Sequence, residues 1–211
     1  MTNRKTGIIL LVFFMVLGVI FLSYYYKVTH AVKKSDLPVI YADRNHHVDT
    51  FTFLNQDGKI ITREDIKGKV VVVSYFFATC KEICPRMNEN MSKVYAAFRG
   101  NPDFLILSHT VDPWKDTVPA LKAYSKRFDA DAKQWMFLTG DKKKLYNMAR
   151  YSYLLSTDDD TTGVKIEDDF IHDNHYSLVD RQGRIRGFYN GLEPAEVQKL
   201  IKDIPSLLDE K

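Results

Sequence analysis

An α/β fold built on one mixed sheet is the class this chain predicts. Three observations point to it. Lys69–Phe77 is continuously apolar and β-branched, amphipathic stretches at helical spacing separate the later apolar runs, and a hairpin precedes one last amphipathic helix.

The elements follow in order. Val48–Phe53 alternates, Asn55-Gln56-Asp57-Gly58 is a turn signal, and Lys59–Thr62 resumes, which predicts a hairpin. Lys69–Phe77 reads as a central strand buried on both faces. Pro85 suits the first turn of a helix, where its missing N–H costs nothing. Met87, Met91, Val94, Tyr95 and Phe98 continue at helical spacing until Gly100 stops the run. Phe104–Ser108 is a second buried strand, and Thr117–Phe128 a helix with Val118, Leu121, Tyr124 and Phe128 on one face. Trp135–Thr139 is a third strand and Lys142–Tyr151 a short helix, after which Ser156–Asp169 is polar and acidic. Tyr176–Asp180 and Arg184–Tyr189 flank Arg181-Gln182-Gly183 as a second hairpin. Pro194 then opens a closing helix that buries Val197, Leu200, Ile201, Ile204 and Leu208. With two thiols at the end of the first core strand, this order is that of a thioredoxin-like fold carrying an extra N-terminal β-hairpin.

Ahead of it lies a separate segment. Residues 8–26 (IILLVFFMVLGVIFLSYYY) carry no charge, and a 19-residue helix spans roughly a bilayer core of about 30 Å. Tyr24, Tyr25 and Tyr26 resemble an interfacial aromatic belt. A cleavable signal peptide would have a shorter apolar run followed by small residues, so an uncleaved anchor is expected. The division is then residues 1–7 as a short cytoplasmic leader, 8–26 as a transmembrane anchor, 27–45 as a tether and 46–208 as the folded domain. Up to His46, six Lys and Arg face only Asp36 and Asp43, so about −1 of the formal +3 remains for the rest. No basic patch interleaved with aromatics occurs, and nucleic acid is not an expected partner.

Cys80 and Cys84 are the chain's two cysteines, in Phe77-Ala78-Thr79-Cys80-Lys81-Glu82-Ile83-Cys84-Pro85. A strand end feeding a helix start is where ligands collect in α/β folds, and the helix dipole there favours thiolates. The spacing is Cys-x-x-x-Cys, not the Cys-x-x-Cys of thioredoxin-type exchange. A disulfide can still close in a loop, and two thiolates also suit Cu(I), zinc or an iron–sulfur cluster. Redox couple and metal site both stay open. No proline lies between Pro119 and Pro194, so the cis-proline of thiol-exchange folds is missing, and a loop with His172 and His175 stands in its place. Among the other histidines, His30 lies by the membrane segment, His46 and His47 open the first hairpin, and His109 reads as structural. Met87 and Met91 read as core, and Asp112-Pro113 with Asp116-Thr117 as a turn and helix cap. A peroxidase-like enzyme would want Thr-x-x-Cys, which Thr79 directly before Cys80 does not supply.

These residues carry a resemblance. From His47 to Leu208 the chain resembles the SCO/SenC family, membrane-anchored copper proteins that assist assembly of cytochrome c oxidase. The likeness rests on Asn55-Gln56-Asp57-Gly58-Lys59, Lys67-Gly68-Lys69-Val70, Cys80-x-x-x-Cys84-Pro85, Ser108-His109-Thr110-Val111-Asp112-Pro113 with Asp116-Thr117, and Trp135-x-Phe137-Leu138-Thr139-Gly140. It extends to His172, eleven residues before Gly183. The resemblance implies that Cys80, Cys84 and His172 bind copper, as Cu(I) and also Cu(II), with His175 outside the ligand set. Lys81-Glu82 departs from the family's Pro-Asp. It further implies a metallochaperone rather than an enzyme, with cytochrome c oxidase subunit II or another copper-site apoprotein as recipient and a thiol reductant as helper. The expected location is a bacterial inner membrane with the domain on the exported face. A tethered thiol–disulfide reductase using Cys80 and Cys84 as a redox-active pair is the alternative.

Overall fold

The computed structural model describes residues 2–29, 35–41, 45–155 and 174–210. Two units separate: residues 1–34 with 210–211, and residues 35–209. In the first, α1 runs Thr2–Thr29, longer than the apolar stretch that predicted it. Its segment Thr6–Tyr26 is 21 residues without a charged side chain, which fits a single-pass membrane anchor.

The second unit holds the sheet. Its strands are β1 (Thr52–Asn55), β2 (Ile60–Thr62), β3 (Val70–Phe76), β4 (Phe104–Thr110), β5 (Trp135–Thr139), β6 (His175–Val179) and β7 (Ile185–Asn190). The described strands form one sheet in the order β2-β1-β5-β4-β3-β6-β7. β3, β4 and β5 are parallel neighbours, while β1–β2, β1–β5, β3–β6 and β6–β7 pair antiparallel. The helices are α2 (Arg63–Ile66), α3 (Ile83–Phe98), α4 (Val118–Ser125), α5 (Lys142–Asn147) and α6 (Pro194–Leu208). A 3-10 turn extends α4 over Lys126–Phe128, and a π turn extends α5 over Met148–Ser152. This is the thioredoxin-like arrangement with an added hairpin.

Alternation explains why β3 is apolar throughout. Successive side chains point to opposite faces, and both faces are covered. Val71, Val73 and Tyr75 join Phe53, Leu107, Leu138 and Tyr153 on one side; Val70, Val72 and Phe76 join Met91, Ile106, Trp135 and the buried side of α6 on the other. On α6 that side is Val197, Leu200, Ile204 and Leu207, with Ile201 and Leu208 only half-buried.

Two boundaries differ from expectation. Val48 lies before β1, not in it, because its N–H donates to the Gly183 carbonyl in the β6–β7 turn (2.8 Å). The segment assigned to a tether over 27–45 belongs to the compact unit from Ser35 onward. Arg186, 2% exposed, explains this: its guanidinium donates to the carbonyls of Leu37 (2.7 Å) and Pro38 (3.1 Å) and to Asp180 Oδ2 (3.0 Å). Ile40 N–H adds a bond to the Ile185 carbonyl (2.8 Å), and the Ser35 and Ser206 hydroxyls meet at 2.8 Å. The acidic stretch Ser156–Asp169 lies outside the described residues.

Candidate metal and thiol site

β3 leaves the sheet at Phe76, and four residues later the chain reaches Cys80. Cys80 N–H closes that turn on the Phe77 carbonyl (3.1 Å). α3 then begins at Ile83, so Cys84 stands in its first turn and Cys80 just outside. A helix start leaves backbone N–H groups unpaired. The Cys80 sulfur takes one of them, accepting from Cys84 N–H at 3.3 Å, while Glu82, the residue before the helix, provides no side-chain cap.

The two thiols are therefore unequal. Cys80 is half-buried and Cys84 buried, and both are free. Burial pushes the Cys80 thiol up, but the backbone and thiol of Cys84 with the backbone N–H groups of Glu82 and Ile83 outweigh it, and Cys80 ionises below its ordinary value. Burial, and then the Cys80 sulfur beside it, push Cys84 up to about 12. Cys80 is thus the more readily ionised of the two, and the thiolate is the form that attacks disulfides and binds metals.

Both cysteines line a cavity of about 510 Å³ whose wall also includes Phe76, Phe77, Ile83, Met87, Leu192 and Asn174. Met87 thus faces the thiol cavity, whereas Met91 is fully buried core. Asn174 is held there by backbone. Gly191 N–H donates to its carbonyl (2.7 Å), and the Gly191 carbonyl accepts from Asn90 of α3 (2.8 Å). A Cβ on Gly191 would lie 2.5 Å from the Tyr176 ring, so only glycine lets these two strand ends close.

The histidines separate clearly. His172 and His30 lie outside the described residues. His175 is the first residue of β6, opposite Asn190 and half-buried. His46 bonds the Ser152 carbonyl (2.9 Å) and His47 the Asn45 carbonyl (2.8 Å). His109 is fully buried and structural: it stacks on Tyr75 with ring centres 5.1 Å apart and meets Phe53 edge-on at 5.4 Å. Among the described residues no three His, Cys, Asp or Glu side chains form a metal cluster, and the two cysteines are the donors that converge.

One assignment changes. Asp116 and Thr117 were expected to cap α4, but the Thr117 side chain makes no capping bond. The Asp116 carboxylate reaches the other way, accepting from Ala78 N–H (3.0 Å) and the Thr110 hydroxyl. That contact spans 38 positions of sequence, and no local pattern signals it.

Comparison with known proteins agrees with this architecture. The SCO1 protein homolog of Bacillus subtilis is 32% identical over 164 residues, covering 77% of this chain and 83% of that protein. The structure of BsSco, described as a member of the Sco family of cytochrome c oxidase assembly proteins with a disulfide switch, superposes with a TM-score of 0.65. It is 30% identical and covers 82% of this chain and 96% of that one. Copper-bound ScoI of Bradyrhizobium japonicum is 25% identical with a TM-score of 0.57, covering 74% of this chain and 98% of that one. The SCO1/SenC family model matches residues 41–209, and the chain belongs to the SCO1/SenC family.

Proposed function

We propose that this chain is a membrane-anchored copper metallochaperone that holds Cu(I) between Cys80, Cys84 and His172. It delivers the ion to a copper-site apoprotein, cytochrome c oxidase subunit II being the recipient its family suggests, from the exported face of a bacterial inner membrane. One observation carries the reading: the cavity lined by both cysteines is also lined by Asn174, two residues after His172. In the sequence, His172 is therefore two residues from a fixed point of the cavity's wall, Asn174. The Asn174–Gly191–Asn90 chain ties that point to the helix bearing Cys84.

The donor set suits the cargo. Two thiolates and a neutral imidazole are soft to borderline ligands, and thiolate selects Cu(I). Binding must displace the Cys84 proton, so it depends on pH and on both thiols staying reduced. A thiol reductant partner is therefore part of the proposal. Copper-bound ScoI supports the choice of metal. A second reading, a thiol–disulfide reductase, is favoured by the unequal thiols and by the disulfide switch described for BsSco.

Titration of the reduced full chain in detergent with Cu(I) separates them. The expected result is one copper per chain, lost in Cys80→Ser and weakened at least about tenfold in His172→Ala. Rapid turnover of a protein disulfide without a stable copper complex would establish the second reading instead. An unchanged nitrogen shell in the Cu(I) X-ray absorption spectrum of His172→Ala would remove His172 from the ligand set.

A further inference from the structure

The loop between β4 and α4 contains a carboxylate that the helix does not use. Asp116 is 1% exposed, and the nearby ammonium of Lys115 pairs with Asp112 (3.1 Å). Burial raises its pKa, the cost of an acid kept from water. A polar group buried so deeply is tolerated only when it is hydrogen-bonded.

Those bonds converge on the thiol loop. The ladder between β3 and β4 ends at Phe76–Thr110, followed by the bond from Val111 N–H to the Phe76 carbonyl (2.9 Å). Beyond that point the chain has left the sheet, and Ala78 N–H finds Asp116 Oδ2 at 3.0 Å. The same oxygen accepts from the Thr110 hydroxyl, whose Oγ1 accepts in turn from Asp112 N–H (3.0 Å). Asp116 N–H returns to the Asp112 carbonyl (2.9 Å), closing the loop on itself. Ala78 is two residues before Cys80, so a pin at Ala78 fixes the arc that delivers the Cys80 sulfur to the start of α3.

We propose that Asp116 is a positioning residue for the thiol pair, holding Cys80 over Cys84 N–H through the backbone of Ala78. It acts as a hydrogen-bond acceptor, not as a charge: both donors meet one oxygen, and an asparagine oxygen in that place accepts the same two. The inference rests on Cys80 and Cys84 being the working pair, but not on copper being their ligand.

The test uses the full chain in detergent with Asp116→Asn, Asp116→Ala and Thr110→Val, each checked for fold by circular dichroism. The first readout is metal-free equilibrium with glutathione, in which the protein dithiol and one oxidised glutathione give the protein disulfide and two reduced glutathiones. The second is the rate of Cu(I) loss to a chelator. Asp116→Asn is expected to match wild type. Asp116→Ala, with Cys80 freed to close on Cys84, is expected to shift the equilibrium toward disulfide about tenfold, or about 30 mV for a two-electron couple. Copper loss should quicken by a similar factor. A folded Asp116→Ala that melts earlier yet leaves both readouts unchanged overturns the proposal, and so does Asp116→Asn behaving like Asp116→Ala. If Asp116→Ala does not fold, Thr110→Val decides, because it leaves the carboxylate unsteadied: a shift of about threefold supports the proposal and none overturns it. A wild-type chain that takes no copper, but whose glutathione equilibrium still responds to Asp116→Ala, defeats the copper reading and leaves this one standing.

Discussion

Cys80 and Cys84 share a turn of chain but not an environment, and their reactivity should separate accordingly. Iodoacetamide at pH 8 should alkylate Cys80 at least about tenfold faster than Cys84, since only the thiolate attacks and burial keeps Cys84 protonated. Trypsin cuts after Lys81, so mass spectrometry reads the two on separate peptides. His109 has a different consequence. Burial pulls its pKa from 6.5 down to about 3, and both ring nitrogens lack a hydrogen-bond partner among the described residues. The unfolded chain takes up a proton below about 6.5 that the folded chain refuses until about 3. Stability is thus intact above that window and falls as pH drops through it, by about 1.4 kcal/mol per pH unit. Urea unfolding at pH 7 and pH 5 should show this slope in wild type and a flatter one in His109→Phe, which suits the aromatic surroundings. Equal slopes would mean that His109 finds a proton partner in the fold.

Elements were legible where pattern is local. The β-branched run of β3, the apolar spacing of α3 and α6 and the two hairpin turns each announce their structure within a few residues. Contacts made across the fold were not. Nothing around Val48 says that its N–H will bond Gly183 and stay out of the strand, and nothing around Asp116 points to Ala78. The cysteines of the site could be read because a strand, a turn and a helix start are consecutive in sequence. Asn174, Gly191 and Asn90 could not, because backbone carbonyls join them. Gly191→Ala tests this junction. Its Cβ would displace the Tyr176 ring, whose hydroxyl donates to the Met87 carbonyl at 2.6 Å, and overpacking of this kind costs about 1–3 kcal/mol. Chemical denaturation should show that loss, and Cu(I) binding should weaken with it.

At the scale of the compact unit, thiols and strap occupy opposite ends of the sheet. The thiols follow the last residue of β3, while segment 35–41 is pinned at Ile185, Arg186 and Ser206, where β7 begins and α6 finishes. Seven residues of strand set the ends about 20 Å apart. Arg186→Met should therefore cost about 2 kcal/mol, because the carbonyls of Leu37 and Pro38 lose their donor while Asp180 keeps Arg184 (2.7 Å), yet leave Cys80 alkylation at its wild-type rate, since separated sites act independently. Limited proteolysis should show residues 35–41 newly cut in that variant. A changed alkylation rate would show that the two ends communicate. The separation has a practical meaning for any visitor to the sulfurs. The described upstream chain grips the unit at its heel, so a docking protein can cover the toe without first dislodging the strap.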